Sequence, residues 1–127
     1  MMLNIVGSVV SSVSGEHMVE LRLSEGSIVQ VETLFKFRSR SGGAVTLDGQ
    51  NGEGLPTLIR HLTGVSIAEA CVDEESGALL IQFDNGSRIF VPSDPDYEAW
   101  MVTAADRSIA VAIPGGGAAF WDPPTEL

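Results

Sequence analysis

Cysteine, histidine and basic residues are scarce in this 127-residue sequence. A single cysteine, Cys71, excludes a disulfide within the chain, which fits a reducing compartment. Lys and Arg total 7 against 17 Asp and Glu, so the formal net charge is −10. Because a surface of this charge repels phosphate groups and anionic lipids, we expect no nucleic-acid or membrane partner. The charge favours a basic protein partner, although solubility alone is the alternative explanation.

A long apolar run is also missing from the chain. The N-terminal residues 1–16 are apolar, but the apolar run is too short to span a membrane, and no Lys or Arg precedes it. We therefore expect a strand here rather than a signal peptide, and a cytoplasmic location. With 44% hydrophobic residues, the length suits a single domain, residues 1–127, with a continuous core.

What the chain has in abundance is the alternation of apolar and polar residues that is typical of half-buried strands. Residues 79–83 and 89–91 alternate in this way. Asn85-Gly86 between them favours a tight turn, because both residues reach positive φ readily. Pro92 ends the second strand, since proline cannot donate to a strand ladder. A β-hairpin is therefore predicted here.

The same hairpin occurs earlier in the chain. The residues LRLSEGSIVQV at 21–31 align with IQFDNGSRIFV at 81–91, so that their central glycines and their apolar positions coincide. Extending the alignment in both directions divides the chain into two copies, at about residues 3–47 and 64–113. The sequence therefore contains an internal repeat.

These patterns predict a mainly β (α+β) fold, a tandem duplication of a four-strand antiparallel unit. Either two packed sheets or a barrel-like core would bury one face of every strand. Within the first copy, residues 28–37 are predicted to form one long strand. Residues 48–63 are a linker and one connecting helix near 55–63, because apolar residues recur there at helical spacing after Pro56. Residues 114–127 are predicted to be a C-terminal tail.

The residue types that perform chemistry do not occur in a catalytic pattern. His17 and His61 have no second histidine or cysteine at metal-ligand spacing, so we expect them at the surface or its boundary. Cys71 lies in an apolar stretch and is expected to be a buried structural thiol. The glycine-rich segments match no nucleotide-binding pattern. The sequence thus predicts no catalytic residue, no metal site and no cofactor, in a protein that is not an enzyme.

One segment distinguishes the second copy from the first, the insertion SDPDY at residues 93–97. Acidic and aromatic side chains lie close together around it, a combination that suits a binding surface for a basic protein. The candidate binding residues are Asp94, Asp96, Tyr97, Glu98 and Trp100. Trp100 also aligns with Phe35 and is expected in the core, which leaves Tyr97 as the exposed aromatic residue.

Two other interpretations of the insertion stay open. Ser93 or Asp94 could cap a short turn that begins at Pro95. Alternatively, the three acidic residues could bind a small ligand or a divalent cation, with Glu32 or His61 brought near by folding.

The hairpin FDNGSRIFVP, the following DPDYEAW and the upstream ETLF at residues 32–35 together carry a resemblance. The chain resembles a family of small uncharacterised bacterial proteins of the actinomycete type, in which such ETLF and DPDYEAW motifs are paired. That family is a domain of unknown function, so the resemblance implies no activity, cofactor or catalytic residue. In size, acidity and fold class, the chain is also similar to immunity proteins of bacterial toxin systems.

We therefore expect a non-catalytic intracellular protein-binding module of the immunity-protein kind, which binds a basic partner through an acidic and aromatic surface. A small-ligand or divalent-metal-binding domain is the alternative. A third interpretation is a homo-oligomer that associates through a sheet edge or through Phe120 and Trp121.

Overall fold

The computed structural model describes residues 1–124, which form eleven strands, one α-helix and one 3-10 helix. All strand pairs are antiparallel, and the strands make two sheets. The mainly β fold class is therefore confirmed, and of the two architectures left open the described chain adopts two sheets. No helix in residues 1–124 is long and apolar enough to cross a membrane.

Eleven strands and two helical segments follow one another along the chain. In order they are β1 (Val10–Ser14), β2 (Val19–Leu23), β3 (Ile28–Val31), β4 (Leu34–Arg38), β5 (Val45–Asp48), a 3-10 helix (Gly52–Gly54), α1 (Leu55–Leu62), β6 (Ile67–Val72), β7 (Leu79–Phe83), β8 (Arg88–Val91), β9 (Trp100–Thr103), β10 (Ile109–Ala112) and β11 (Ala118–Trp121). The first sheet has the order β1-β2-β3-β9-β10-β11, and the second has the order β5-β4-β8-β7-β6.

Each sheet contains strands from both halves of the chain. In the first sheet β3 pairs with β9, and in the second sheet β8 pairs with β4. Strands β1 to β5 thus occupy the same relative positions as β6 to β10, with the two halves exchanging their last two strands. The registers agree as well, because β9 pairs Val102 with Val29 while β4 pairs Phe37 with Ile89. These are positions that the sequence repeat equates.

The exchange of strands between the sheets contradicts the prediction of one long strand at residues 28–37. The chain does not form one strand there: β3 ends at Val31, β4 starts at Leu34, and the two strands belong to different sheets. Burial still alternates across the break, since Thr33 is only 6% exposed and faces the core like its neighbours two residues away. The alternation therefore gives no sign of the crossing. As a result, each half supplies five strands rather than the predicted four.

The inner faces of both sheets contribute to a single buried cluster. Helix α1 follows the 3-10 helix, confirming the predicted connecting helix, and buries Leu58 and Leu62 in this cluster. Ile59, on the same predicted apolar side, is 43% exposed. At the end of α1, the amide side chain of Asn85 donates a hydrogen bond of 2.7 Å to the His61 carbonyl oxygen. The turn of the second hairpin therefore caps the helix.

The first residues of the chain run beside β6 instead of lengthening β1. The Leu3 N–H donates to the Ala70 carbonyl oxygen at 2.9 Å, and the Val72 N–H donates to the Met1 carbonyl oxygen at 2.8 Å. Cys71 lies between these bonds on the face opposite to Ala70 and Val72, and its side chain is half-buried. The prediction of a buried thiol is therefore wrong, because Cys71 occupies an outward position of β6.

The buried side chain of Trp100 joins the two sheets. It is 0% exposed, and its indole N–H donates a hydrogen bond of 2.8 Å to the Gly77 carbonyl oxygen. Trp100 begins β9 in the first sheet, whereas Gly77 lies in the turn between β6 and β7 of the second. The Trp100 side chain thus contributes both a large buried apolar area and a buried hydrogen bond.

We expect Trp100→Ala to lower the free energy of unfolding by about 3–5 kcal/mol, because it opens a cavity and leaves the Gly77 carbonyl without its donor. Urea denaturation followed by circular dichroism measures this. The matched control is Trp121→Ala: Trp121 is 55% exposed, so a loss of less than about 1 kcal/mol is expected. Equal losses for the two variants would contradict the central role of Trp100.

Candidate binding surface

The corner formed by residues 92–99 carries the chain from β8 in the second sheet to β9 in the first. In the first half, the equivalent crossing from β3 to β4 uses only Glu32 and Thr33. The insertion that the sequence singled out is therefore a lengthened crossing between the sheets. Four of the five candidate binding residues lie within it.

Asp94 stabilises the conformation of the corner by accepting hydrogen bonds. One of its carboxylate oxygens accepts hydrogen bonds from the backbone N–H groups of Asp96, at 2.8 Å, and Tyr97, at 3.1 Å. Its carbonyl oxygen accepts a third bond, of 2.8 Å, from the N–H of Gly115 in the turn between β10 and β11. Asp94 therefore caps the turn, as one of the interpretations from sequence proposed, and fixes the corner against the neighbouring turn.

The remaining candidates divide into exposed and buried residues. Tyr97 is 56% exposed, and Asp96 and Glu98 are exposed as well. Trp100, by contrast, is fully buried and must be removed from the candidate binding residues. Its alignment with Phe35, which is 1% exposed, predicted this position in the core. The corner thus exposes Asp96, Tyr97 and Glu98 to solvent.

Glu98 connects the corner to the outer face of the first sheet. It lines one small cavity of about 210 Å³ together with Gln30, Glu32 and Met101. The fold therefore does bring Glu32 close to the corner. His61 lies elsewhere, with its ring centroid 5.6 Å from that of Phe37.

A second, wider cavity of about 480 Å³ extends from Glu98 across β9, β10 and β11. It is lined by Glu98, Met101, Arg107, Ile109, Val111, Trp121, Asp122 and Pro124. The register explains the apolar character of this face: Met101 lies opposite Val111, and Ile109 lies opposite Trp121. We call Met101, Ile109, Val111 and Trp121 the apolar face; Val111 is covered by its neighbours and is 6% exposed.

Sequence reasoning missed the apolar face. The repeat placed residues 109–113 in the second copy, but Met101, Ile109 and Val111 were given no role, and Trp121 was considered only for self-association. The signal that could have revealed them is the unbroken apolar run at residues 109–113, since a strand that is apolar on both faces is normally covered on both.

The turn between β9 and β10 forms a charged rim beside this face. Asp106 accepts hydrogen bonds from the hydroxyl group of Ser108, at 2.6 Å, and from its backbone N–H, at 2.9 Å. These bonds favour the carboxylate and hold the pKa of Asp106 below its ordinary value. Asp106 therefore stabilises the turn above its unfolded-state pKa and loses this effect as the pH falls through its lower folded-state pKa. The neighbouring Arg107 has a positive φ of 73°.

A family model described as "Family of unknown function (DUF6188)" matches residues 1–122. The chain belongs to this family. No curated protein matches the chain, and no solved structure does. The resemblance to a family of unknown function is thus confirmed over almost the whole chain, and this membership assigns no activity.

In this DUF6188 chain the acidic residues of the corner are not arranged as a chelating group. Asp94 is engaged in the turn and Glu98 is directed to the outer face of the first sheet. Within the part of the chain that the structure describes, no three His, Cys, Asp or Glu side chains come together as metal ligands.

Since Asp94 shapes the corner, Asp94→Ala is expected to lower the free energy of unfolding by about 0.5–2 kcal/mol, the usual cost of losing such a cap. Thermal unfolding followed by circular dichroism checks this. Asp96→Ala removes the same charge from an exposed position and should stay within about 0.5 kcal/mol of the unchanged protein. Should both variants lose the same stability, charge rather than hydrogen bonding would explain the effect of Asp94.

Because Asp94 is engaged in the turn and Glu98 is directed to the outer face of the first sheet, the corner lacks a cluster of free carboxylates. We therefore expect thermal unfolding in about 1 mM Ca²⁺ or Mg²⁺ to give the same Tm as in EDTA. A cation that bound the native corner specifically would raise Tm. A reproducible rise that Asp96→Ala and Glu98→Gln abolish would establish the cation site that this geometry argues against.

Proposed function

We propose that the protein is a non-catalytic protein-binding module, whose partner docks on the corner and on the adjoining apolar face. The observation that carries this proposal is their continuity: Glu98 and Met101 line both cavities beside the corner. The exposed Trp121 and the half-buried Ile109 line the wider of these cavities. The exposed Tyr97 directly precedes Glu98 in the corner.

The composition of this surface supports binding to another protein. A typical interface has an apolar centre with aromatic residues and methionine, surrounded by charged residues that remain in contact with water. Here Met101, Ile109 and Trp121 supply the apolar part, while Glu98 and Asp122 are at the rim. Tyr and Trp are also the residue types that most often dominate binding energy, because each desolvates a large area at low entropic cost.

The net charge of the whole protein indicates the kind of partner. The net charge of −10 raises the local concentration of a cationic protein and accelerates its association. We propose a basic partner that the protein neutralises in the manner of an immunity protein, in the cytoplasm of a bacterium of the actinomycete type. This setting is supported by the ETLF and DPDYEAW motifs, by the single cysteine and by the acidic composition.

The proposal is tested by co-expressing the tagged protein with the product of each neighbouring gene and titrating every retained pair by calorimetry. We expect a basic product to be retained. Tyr97→Ala and Trp121→Ala should each weaken its binding at least tenfold, which is about 1.4 kcal/mol. Glu98→Lys should mainly slow association and reduce its dependence on salt, because it removes electrostatic steering.

The matched controls are Glu16→Lys and Asp84→Lys, which make the same change of charge at exposed positions in other turns. They should leave the affinity within about twofold, because they lie outside the proposed contact. If no product is retained, or if the controls weaken binding as much as Glu98→Lys, the proposed surface is wrong.

A further inference from the structure

The outer face of the second sheet gathers the positive charge of this acidic protein. Lys36 and Arg38 lie on β4, and Arg88 lies on β8 beside them. Arg40 follows β4, with its side chain next to Gly86. Four of the 7 Lys and Arg residues are therefore in one place. We call Lys36, Arg38, Arg88 and Phe90 the basic face.

Two of these charges oppose each other directly. The register pairs Arg38 with Arg88 across adjacent strands, and both side chains are exposed. Like charges in directly opposite positions destabilise a sheet. No described carboxylate lies within 4 Å of either guanidinium group, since the ion pair between described residues is that of Arg22 with Glu20, on the first sheet. The second sheet therefore retains a repulsive pair of arginines that does not stabilise the fold.

Apolar side chains accompany the charges. Lys36 lies opposite Phe90, which is 40% exposed, and Phe90 lies opposite the half-buried Leu80 on its other side. These residues surround a shallow depression of about 200 Å³. In the first copy, the positions equivalent to Arg88 and Phe90 are Ile28 and Gln30. The basic and aromatic character thus belongs to one sheet and does not follow from the repeat.

We propose that the basic face is a second docking surface, and that its occupant is an acidic protein segment with two or more carboxylates beside an apolar side chain. Paired arginines suit this occupant, because each guanidinium group can bind a carboxylate through two parallel hydrogen bonds. The exposed Phe90, two residues from Arg88 on the same strand, supplies the apolar contact that such interfaces need. This goes beyond the proposed function, since it uses the other sheet and the opposite charge.

Other anionic occupants fit this surface less well. A nucleic acid places many phosphates along the protein, and a net charge of −10 opposes that approach. A small anion would need a concave site that buries most of its surface, whereas these side chains stand on an open sheet. For a short acidic segment the repulsion from distant charges is screened beyond about 8 Å in physiological salt, and the arginines act at contact distance.

The test begins with a library of random peptides, selected for binding to the full protein and selected against binding to the double variant Arg38→Glu/Arg88→Glu. We expect the enriched peptides to carry Asp or Glu on either side of an aromatic or aliphatic residue. In fluorescence anisotropy, the double variant should bind them at least about tenfold more weakly. Their affinity should also fall as salt rises, because charge pairs are screened.

Two comparisons make the result specific. Arg22→Glu/Arg60→Glu changes the net charge equally at exposed positions elsewhere and should leave the affinity unchanged. Tyr97→Ala and Trp121→Ala should leave it unchanged too, so that failure of this proposal and failure of the proposed function are distinguishable. The double variant retains a like-charge pair, so its Tm should remain close to that of the unchanged protein.

The single variant Arg88→Glu separates a binding role from a structural one. It places opposite charges across the two strands, so Tm should rise by about 1–3 °C. The same variant should lose affinity for the acidic peptides. A gain in stability together with a loss of binding is expected where a surface is retained for a ligand.

Several outcomes would overturn the proposal. They are enriched peptides without acidic residues, equal binding of these peptides by the Arg38→Glu/Arg88→Glu variant, and single-stranded DNA that binds the unchanged protein and not the variant. A dimer in sedimentation that the double variant abolishes would assign the basic face to a second copy of the chain, and would equally overturn the proposed acidic partner.

Discussion

The pairing of β3 with β9 and of β4 with β8 is the interaction on which the structure depends. Through these two ladders, each sheet is completed by strands from the other half of the chain. Neither half alone would have both the strands and the opposing inner face that bury its apolar residues. The ladders join residues far apart in sequence, so forming them loses chain entropy early in folding. Apolar burial offsets this loss only once both sheets are present. We therefore regard the domain as a single cooperative unit.

The exchange of strands also affects which residue types can occupy the outer faces of the two sheets. Inward positions of the two copies remain apolar, as Phe37 and Val102 illustrate, because both contribute to one core. Outward positions have no such requirement, and Lys36 of β4 corresponds to Met101 of β9. One outer face is consequently apolar with a charged rim, and the other is basic with an exposed phenylalanine. This chemical difference between the two outer faces is the reason why we propose a different partner for each.

Local patterns were sufficient to predict several elements. The helix at Leu55–Leu62 and the hairpin turns followed from apolar spacing and from glycine chemistry. Asp94 was recognised as one of two possible caps, because aspartate commonly bonds to the backbone two residues on. The break after Val31 could not be predicted, since Thr33 keeps the alternation of burial while the chain crosses between sheets. The predicted burial of Cys71 was wrong because apolar neighbours in sequence do not indicate which face of a strand a residue occupies.

The amino-acid sequence by itself determined the strand periodicity, the repeat, the connecting helix and the acidic insertion, since each is a pattern of consecutive residues or follows from comparing two such patterns. Only the tertiary structure decided which strands became neighbours. That choice placed Trp100 beneath Gly77, joined Glu98 to the apolar face and set Arg38 opposite Arg88. The physical reason is that alternation specifies the buried side of a strand, whereas long-range pairing specifies the side chains with which it shares a surface.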